Sequence, residues 1–343
     1  MFTPLLTSSC YSFHYGTMFP RDLVRQAGRL GYSALALSDR NGVYGIPAFL
    51  EACGEEGFQD AGADGRTGPE GGVRPILGTE LAEGSARALL IARTREGWSR
   101  ICRILTARSE GGFDLAAAVR AEVETGPCVL GRGAPPDLFI ATDALPLLEA
   151  ARGSVYALVA PTSGRAGGGE RAFRRALAAT GAPLLATGEV RFLDPAGREV
   201  QRLLSAIGSG RTKAEVREDE LSPPGAVLAP PAWALRPYEA VPEAIAANEA
   251  LAESVEFRSI FEGFIFPKYA AAGDRGAAAL LRSRVYEGIE KRYGSVEGAV
   301  RARVEYELGI IESKGFSDYF LVVRDIVRKT SRTCGRGSAA ASV

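Results

Sequence analysis

Through the first two-thirds of the chain, short apolar runs alternate with longer stretches whose apolar positions recur every three to four residues, the rhythm of β-α units. The run SALALS at 33–38 reads as a strand buried on both faces. Further strands are predicted over 73–80, 87–92, 128–130, 138–141, 155–159 and 183–187. A helix is predicted at 21–30, where Leu23, Ala27 and Leu30 share a face and Pro20 suits the first turn, and another at 46–56. Repeated alternation of this kind implies a parallel sheet or barrel whose functional residues sit at the C-terminal ends of the strands.

Two composition shifts interrupt the rhythm. Residues 57–72 hold six glycines and read as a flexible surface loop. Within the connection at 220–240, prolines at 223, 224, 230, 231 and 237 exclude helix interiors and central strands, so an extended segment is predicted there. A helix follows at 242–254, and from Arg275 onward the pattern is almost wholly helical. Val300, Val304, Leu308 and Ile311 make one apolar face; Phe320, Val323 and Val327 make another. No internal repeat is visible.

The 343 residues carry 41 basic and 41 acidic side chains, the balance of an ordinary globular protein of about two domains. The balance is not local: residues 266–343 carry 14 basic against 9 acidic side chains, a net +5, which points the C-terminal part toward an anion. Five cysteines (Cys10, Cys53, Cys102, Cys128, Cys334) without a C-x-x-C pair argue against a disulfide framework or zinc knuckle and fit a reducing cytoplasm. The N-terminus lacks the pattern of a signal peptide, and nowhere do about 18 apolar residues run together, so no membrane segment is expected. With one histidine, His14, the chain cannot build a His-rich metal site; any metal would rest on carboxylates.

One motif carries chemistry on its face. In CGRGSAAAS, at 334–342, Gly335 and Gly337 flank Arg336, and Ser338 precedes a small-residue run able to open a helix. Such a turn can aim successive backbone N–H groups, a hydroxyl and a guanidinium at one phosphate, although the same pattern also serves as a plain tight connection. Its surroundings decide. The stretch VEYELGIIESKGFSDYFLVVRDIVRKTSRTCGRGSAAAS at 304–342 closely resembles the start of the palm in the alpha subunit of bacterial DNA polymerase III, the C-family polymerases, through Glu312, Gly315, Phe316, Asp318, Tyr319, Phe320 and Leu321 and then Gly335 to Ala340 and Ser342. SCYSFHYG at 9–16, LVRQAGRLGYSALALSDRNGVYG at 23–45, PILGTEL at 75–81 and PLLATGEVRFLDPAGREVQRLLSAIGSGRT at 183–212 resemble that subunit's N-terminal polymerase-and-histidinol-phosphatase (PHP) domain. Residues 110–170 match weakly.

The resemblance implies an α/β fold: a distorted seven-stranded, TIM-like PHP barrel over 1–265, followed by the mainly helical start of a polymerase palm over 266–343. The pattern is closest in texture to the shorter, error-prone members. Gly335, Arg336, Gly337 and Ser338 would then bind the triphosphate of an incoming nucleotide. The family's catalytic aspartates lie beyond such a loop, so no catalytic residue is expected in this chain and no polymerisation by it alone. DNA, deoxynucleoside triphosphates and magnesium are expected to belong to the full enzyme. The remaining polymerase domains or other replication and repair proteins are the expected partners.

Active PHP barrels hold a metal cluster on histidines and carboxylates. Transferred position by position, the first two histidines fall on Leu6 and Ser8, an acidic ligand on Tyr15, and a third histidine on Arg40. The family's late D-x-H becomes Glu189 and Arg191. Asp39, Glu80 and Glu189 alone keep carboxylates. Arginine cannot shed its proton to bind a cation, so no metal is expected and the arginines are expected to pair with Asp39, Glu80 and Glu189 instead. Two other readings stay open: a metal-dependent phosphoesterase or 3′-5′ exonuclease using those three carboxylates, and a non-catalytic interaction module.

Overall fold

The computed structural model describes residues 1–55, 72–131, 133–159, 179–261, 267–270, 276–294 and 298–329. The glycine-rich stretch 57–71 and the motif residues Gly335, Arg336, Gly337 and Ser338 lie outside the described residues. The chain divides into two units, Met1–Ile260 and Phe261–Val343.

The strands of the first unit are β1 (Leu6–Thr7), β2 (Ala34–Arg40), β3 (Arg74–Glu83), β4 (Ala86–Ala92), β5 (Leu138–Thr142), β6 (Tyr156–Val159), β7 (Leu184–Ala186) and β8 (Glu189–Val190). Strands β2 to β7 pair in sequence order as one sheet, and β1 pairs in parallel with β8. The Ala36 N–H donates to Pro4 O at 3.0 Å, and the Leu5 N–H to Thr187 O, so the β1 segment bridges β8 and β2. Counting β7 and β8 as one strand interrupted at Thr187 and Gly188, the described strands form a curl of seven.

The side-chain alternation of β2 shows why the sheet curls. Leu35 and Leu37 join an outer core with Leu23, Val24 and Ala27 of α1 (Pro20–Arg29) and Ile46 and Phe49 of α2 (Ile46–Glu55). Ala34 and Ala36 face inward, in a second cluster with Leu6, Ile76, Leu89, Phe139 and Leu158. Small residues on the inner face of β2 leave room for the larger ones opposite. Outside the sheet lie α3 (Arg95–Ser109), α4 (Leu115–Glu124), capped by Asp114 on two backbone N–H groups, α5 (Leu145–Ala151), α6 (Gly197–Ser209) and α7 (Pro231–Leu235). The helix α8 (Pro242–Ser254) closes the end where β2 and β3 begin: its Leu251 and Ala252 enter the inner cluster, and Arg74 at the start of β3 donates to Ala252 O at 2.9 Å. That leaves the opposite end as the mouth.

The structure departs from the sequence expectations in four places. Strand β4 runs antiparallel to both β3 and β5, because only Gly84 and its neighbour separate it from β3, too short a link for a parallel crossover. Residues 128–130 form no strand; Gly126 and Gly131 hold left-handed φ at either end, although Cys128 still bonds Ser154 and Ile140 through its backbone. The proline-rich connection is not simply extended, since Pro231 and Pro237 sit in the first turns of α7 and of a 3-10 turn, where a missing N–H costs nothing. The fourth concerns length: β1 and β8 have two residues each, below what alternation can reveal.

The second unit contains α9 (Ala277–Tyr293), α10 (Gly298–Ser313) and α11 (Ser317–Lys329). Its buried centre is Leu281, Leu308 and Leu321, flanked by Val304, Ile311 and Phe320. On α11 the most buried apolar side chain is therefore Leu321 rather than the expected Phe320, Val323 and Val327 face. Arg282 grips Glu312 through Nε and Nη2 at 2.6 and 3.0 Å and reaches Glu305 at 2.7 Å, tying α9 to α10.

Candidate functional site

Strand register assembles the mouth of the barrel. Asp39 and Arg40 end β2, and Arg40 pairs with Glu80 on β3. Glu189 lies on β8 and Arg191 just after it. Arg87 begins β4 opposite Ala82 near the end of β3, and Asp143 follows β5. Five chain segments thus deliver ionisable groups to one end of the curl.

Arg191 is at the centre, with no solvent exposure. Its Nε donates to Glu189 Oε1 at 3.0 Å and its Nη2 to Glu80 Oε1 at 3.0 Å. Arg87, a side chain 17% exposed, touches the same two carboxylates, at 3.2 Å to Glu189 and 3.4 Å to Glu80, and donates through Nε to Asp143 at 2.9 Å. Tyr15 packs against this cluster: the Arg191 guanidinium lies 5.2 Å from its ring centroid and that of Arg40 lies 4.7 Å away. The Tyr15 hydroxyl shares a hydrogen bond of 2.8 Å with Ser222. Charge–quadrupole attraction makes an aromatic ring a suitable spacer between two cations.

Asp39 is satisfied differently. It accepts from the Ser9 N–H at 2.6 Å, the Ser9 hydroxyl at 2.8 Å and the Ser12 hydroxyl at 2.7 Å. It therefore anchors the 9–16 turn, where Gly16 packs so closely that a Cβ would fall 1.6 Å from Ser9 O. Burial raises the Asp39 carboxyl above its ordinary range despite these donors and the Arg191 charge. Burial likewise pushes Glu189 up, but the charges and hydrogen bonds of Arg191 and Arg87 outweigh it and hold that carboxyl down at about 2. Burial opposes the charge on Arg87 and Arg191, yet their carboxylate neighbours leave both held more firmly protonated than usual.

These shifts predict an acid response. A carboxyl depressed from 4.5 to about 2 supplies stability that is full above 4.5 and is lost as the pH falls toward 2. For Glu189 the amount is about 3 kcal/mol. Asp39, shifted the other way, is relieved by acid and opposes part of the loss. Denaturant titrations from pH 6 to pH 2.5 should show a shallower loss for Glu189→Gln than for the parent; parallel curves would refute the assignment.

Of the positions singled out from the sequence, the structure brings Glu80, Glu189, Arg191, Tyr15 and Arg40 together. Leu6 lies in the inner apolar cluster, and Ser8 is buried with its N–H bonded to Val190 O. Asp39 pairs with serines rather than with an arginine, and Arg40 faces Tyr15 rather than a carboxylate. Arg87 and Asp143 were invisible to sequence reasoning, since their roles follow from the β3–β4 reversal. The donors Ser9 and Ser12 carried no signal beyond their proximity to one another. A hydrolytic metal cluster does not fit this arrangement: the space between Glu80 and Glu189 is filled by a guanidinium, Leu6 offers no donor atom, and among the described residues no three His, Cys, Asp or Glu side chains are grouped to hold an ion.

Comparison with known proteins places these features in context. Residues 5–126 match the family of PHP domains, and residues 279–343 match the bacterial DNA polymerase III alpha NTPase domain. The error-prone DNA polymerase of Mesorhizobium japonicum is 31% identical over 98% of this chain and 30% of its own length. That of Symbiobacterium thermophilum is 29% identical over 99% of this chain and 33% of its own. The DNA polymerase III subunit alpha of Bacillus subtilis is 26% identical over the whole of this chain and 31% of its own length. The chain thus spans about a third of the relatives it matches. Among the described residues no helix is long and apolar enough to cross a membrane.

Proposed function

We propose that this chain, which belongs to the family of bacterial DNA polymerase III alpha subunits and error-prone DNA polymerases as their N-terminal part, supplies a non-hydrolytic barrel and the opening of the polymerase core to template-directed DNA synthesis in the cytoplasm. One observation carries the reading of the barrel: a fully buried guanidinium, Arg191, bonded to both Glu80 and Glu189 where a phosphoesterase needs a cation to activate water. The competing exonuclease reading requires those carboxylates to be available to metal, and the Arg87 and Arg191 contacts occupy them.

For the core, the reading rests on the match over 279–343 and on the residue types of the terminal motif. Gly335 and Gly337 would let backbone N–H groups converge on the nucleotide's triphosphate, with Ser338 and Arg336 adding a hydroxyl and a guanidinium. Magnesium, DNA and the aspartates that bridge two metal ions would come with the rest of the polymerase.

Two assays test the proposal. The purified chain, given manganese, a nitrophenyl phosphate ester and a labelled single-stranded oligonucleotide, should hydrolyse neither; chelator-sensitive hydrolysis abolished by Glu80→Gln would overturn it. In a polymerase that contains this chain, Arg336→Ala should raise the apparent KM for deoxynucleotides about tenfold, the loss of one charge-assisted contact. An unchanged KM would remove the motif from the nucleotide site.

A further inference from the structure

We propose that Arg191 acts as a built-in cation: its guanidinium fills a doubly anionic cavity between Glu80 and Glu189, and the cavity, once vacated, is a binding site for a small planar cation. The charges make the case first. In the ion-paired group, Glu80, Glu189 and Asp143 bring three negative charges, and Arg87 and Arg191 bring two positive ones. Without Arg191 the buried group would keep three carboxylates against one guanidinium, a deficit that in low dielectric must be filled by a cation or relieved by protonation.

The hydrogen bonds point the same way. Arg191 Nη2 lies 3.0 Å from each oxygen of Glu80, and Nε serves Glu189, yet Nη1 is buried with no hydrogen-bond partner. Ser8, whose N–H donates to Val190 O at 3.2 Å, likewise has a buried hydroxyl without a hydrogen-bond partner. The tether donates to Glu189 Oε1 and Glu80 Oε1 but leaves both Glu80 Oε2 and its own third nitrogen without a hydrogen bond. Charge, rather than a complete set of hydrogen bonds, therefore holds the side chain there. A free guanidinium, released from the geometry of the chain, could turn to use all its donors. The carboxylates stay in place without Arg191 because Arg87 still reaches both, at 3.2 and 3.4 Å.

This inference rests on the metal-free reading of the mouth and goes beyond it by naming what takes the cation's place. The test is thermal unfolding of the whole chain and of Arg191→Ala in methylguanidinium chloride from 0.1 to about 20 mM, with tetramethylammonium chloride, which has no N–H donor, at matched ionic strength. Arg191→Ala should melt about 10 °C below the parent. Methylguanidinium should raise that melting point saturably, by about 4 °C at tenfold excess over its Kd, and should leave the parent unmoved. No saturable rise in the variant, an equal rise with tetramethylammonium, or the same rise in the parent would overturn the proposal.

If Arg191→Ala does not fold, Arg191→Met is compared with the triple variant that also carries Glu80→Gln and Glu189→Gln. The triple variant should melt above the single one, since it removes the uncompensated charges. A triple variant no more stable than the single one would overturn the proposal. Manganese-dependent stabilisation of the parent would instead strike at the metal-free reading, so the two failures are distinguishable.

Discussion

Replacing Arg87 by methionine is expected to destabilise the barrel by about 3 kcal/mol, the lower end of the range for breaking a buried ion pair, because water still reaches part of this side chain. Methionine matches the length of the stem and removes only the head, so the loss measures the charge rather than the packing. Arg87 is the group that answers three carboxylates from three elements, Glu80 on β3, Glu189 on β8 and Asp143 after β5. Arg87→Lys should recover little, since an ammonium cannot reach acceptors spread around a planar fork. Adding Asp143→Asn to Arg87→Met should recover part of the loss by removing an unpaired charge. Urea titrations decide the matter, and a loss below about 1 kcal/mol for Arg87→Met would mean that Arg191 alone holds the mouth together.

A comparable effect is expected far from the mouth, at Asn248. This residue of α8 has no solvent exposure, and its side chain behaves as a piece of backbone. Its Oδ1 accepts from the Thr3 N–H at 2.9 Å, while its Nδ2 donates to Thr3 O at 2.7 Å and to Ala186 O at 2.8 Å. One amide thereby joins the N-terminal segment, the end of β7 and α8. Asn248→Ala should cost about 2–4 kcal/mol, because Thr3 and Ala186 are left with buried polar atoms that no water can reach. Asn248→Asp keeps an acceptor for Thr3 but loses both donors and buries a charge, so it should rescue nothing. Hydrogen exchange should show the Thr3 amide opening in Asn248→Ala; a slow Thr3 amide in a variant of parental stability would contradict this account.

The legibility of the molecule follows the length of its signals. Strands such as β2 and β3 and the helix Pro242–Ser254 were readable because continuous apolar runs or three-to-four periodicity persisted over seven or more residues. Strands β1 and β8 were not readable, since a two-residue strand has no period and exists only through its partner. The reversal at β4 was missed for a related reason. The sequence contains the short link around Gly84, but the regular β-α rhythm on either side suggested a crossover.

Within the site, substitution logic indicated which residues had replaced potential ligands, and it led to Glu80, Glu189 and Arg191. It could not say which carboxylate each arginine would meet, because that depends on strand order. Arg40 was expected to pair with a carboxylate and lies over Tyr15, whereas Arg87, on β4 across β3 from it, makes the contacts instead. Asp39 illustrates a limit of a different kind. Serine hydroxyls from the 9–16 turn satisfy it locally, and a serine-rich turn has no spacing that announces which acid it will serve.

The pairing of β1 with β8 also governs when this barrel can be finished. The partners of Leu6 and Thr7 lie at Glu189 and Val190, and the amide that clasps Thr3 comes from residue 248. On the ribosome, the first strand made can meet β2 early, through Pro4 and Ala36, but its other edge waits uncovered for β8 while most of the unit is synthesised. Local pairs such as β3 with β4 can form early, but closure is a late, long-range event, and the nascent chain depends until then on some other cover for that edge.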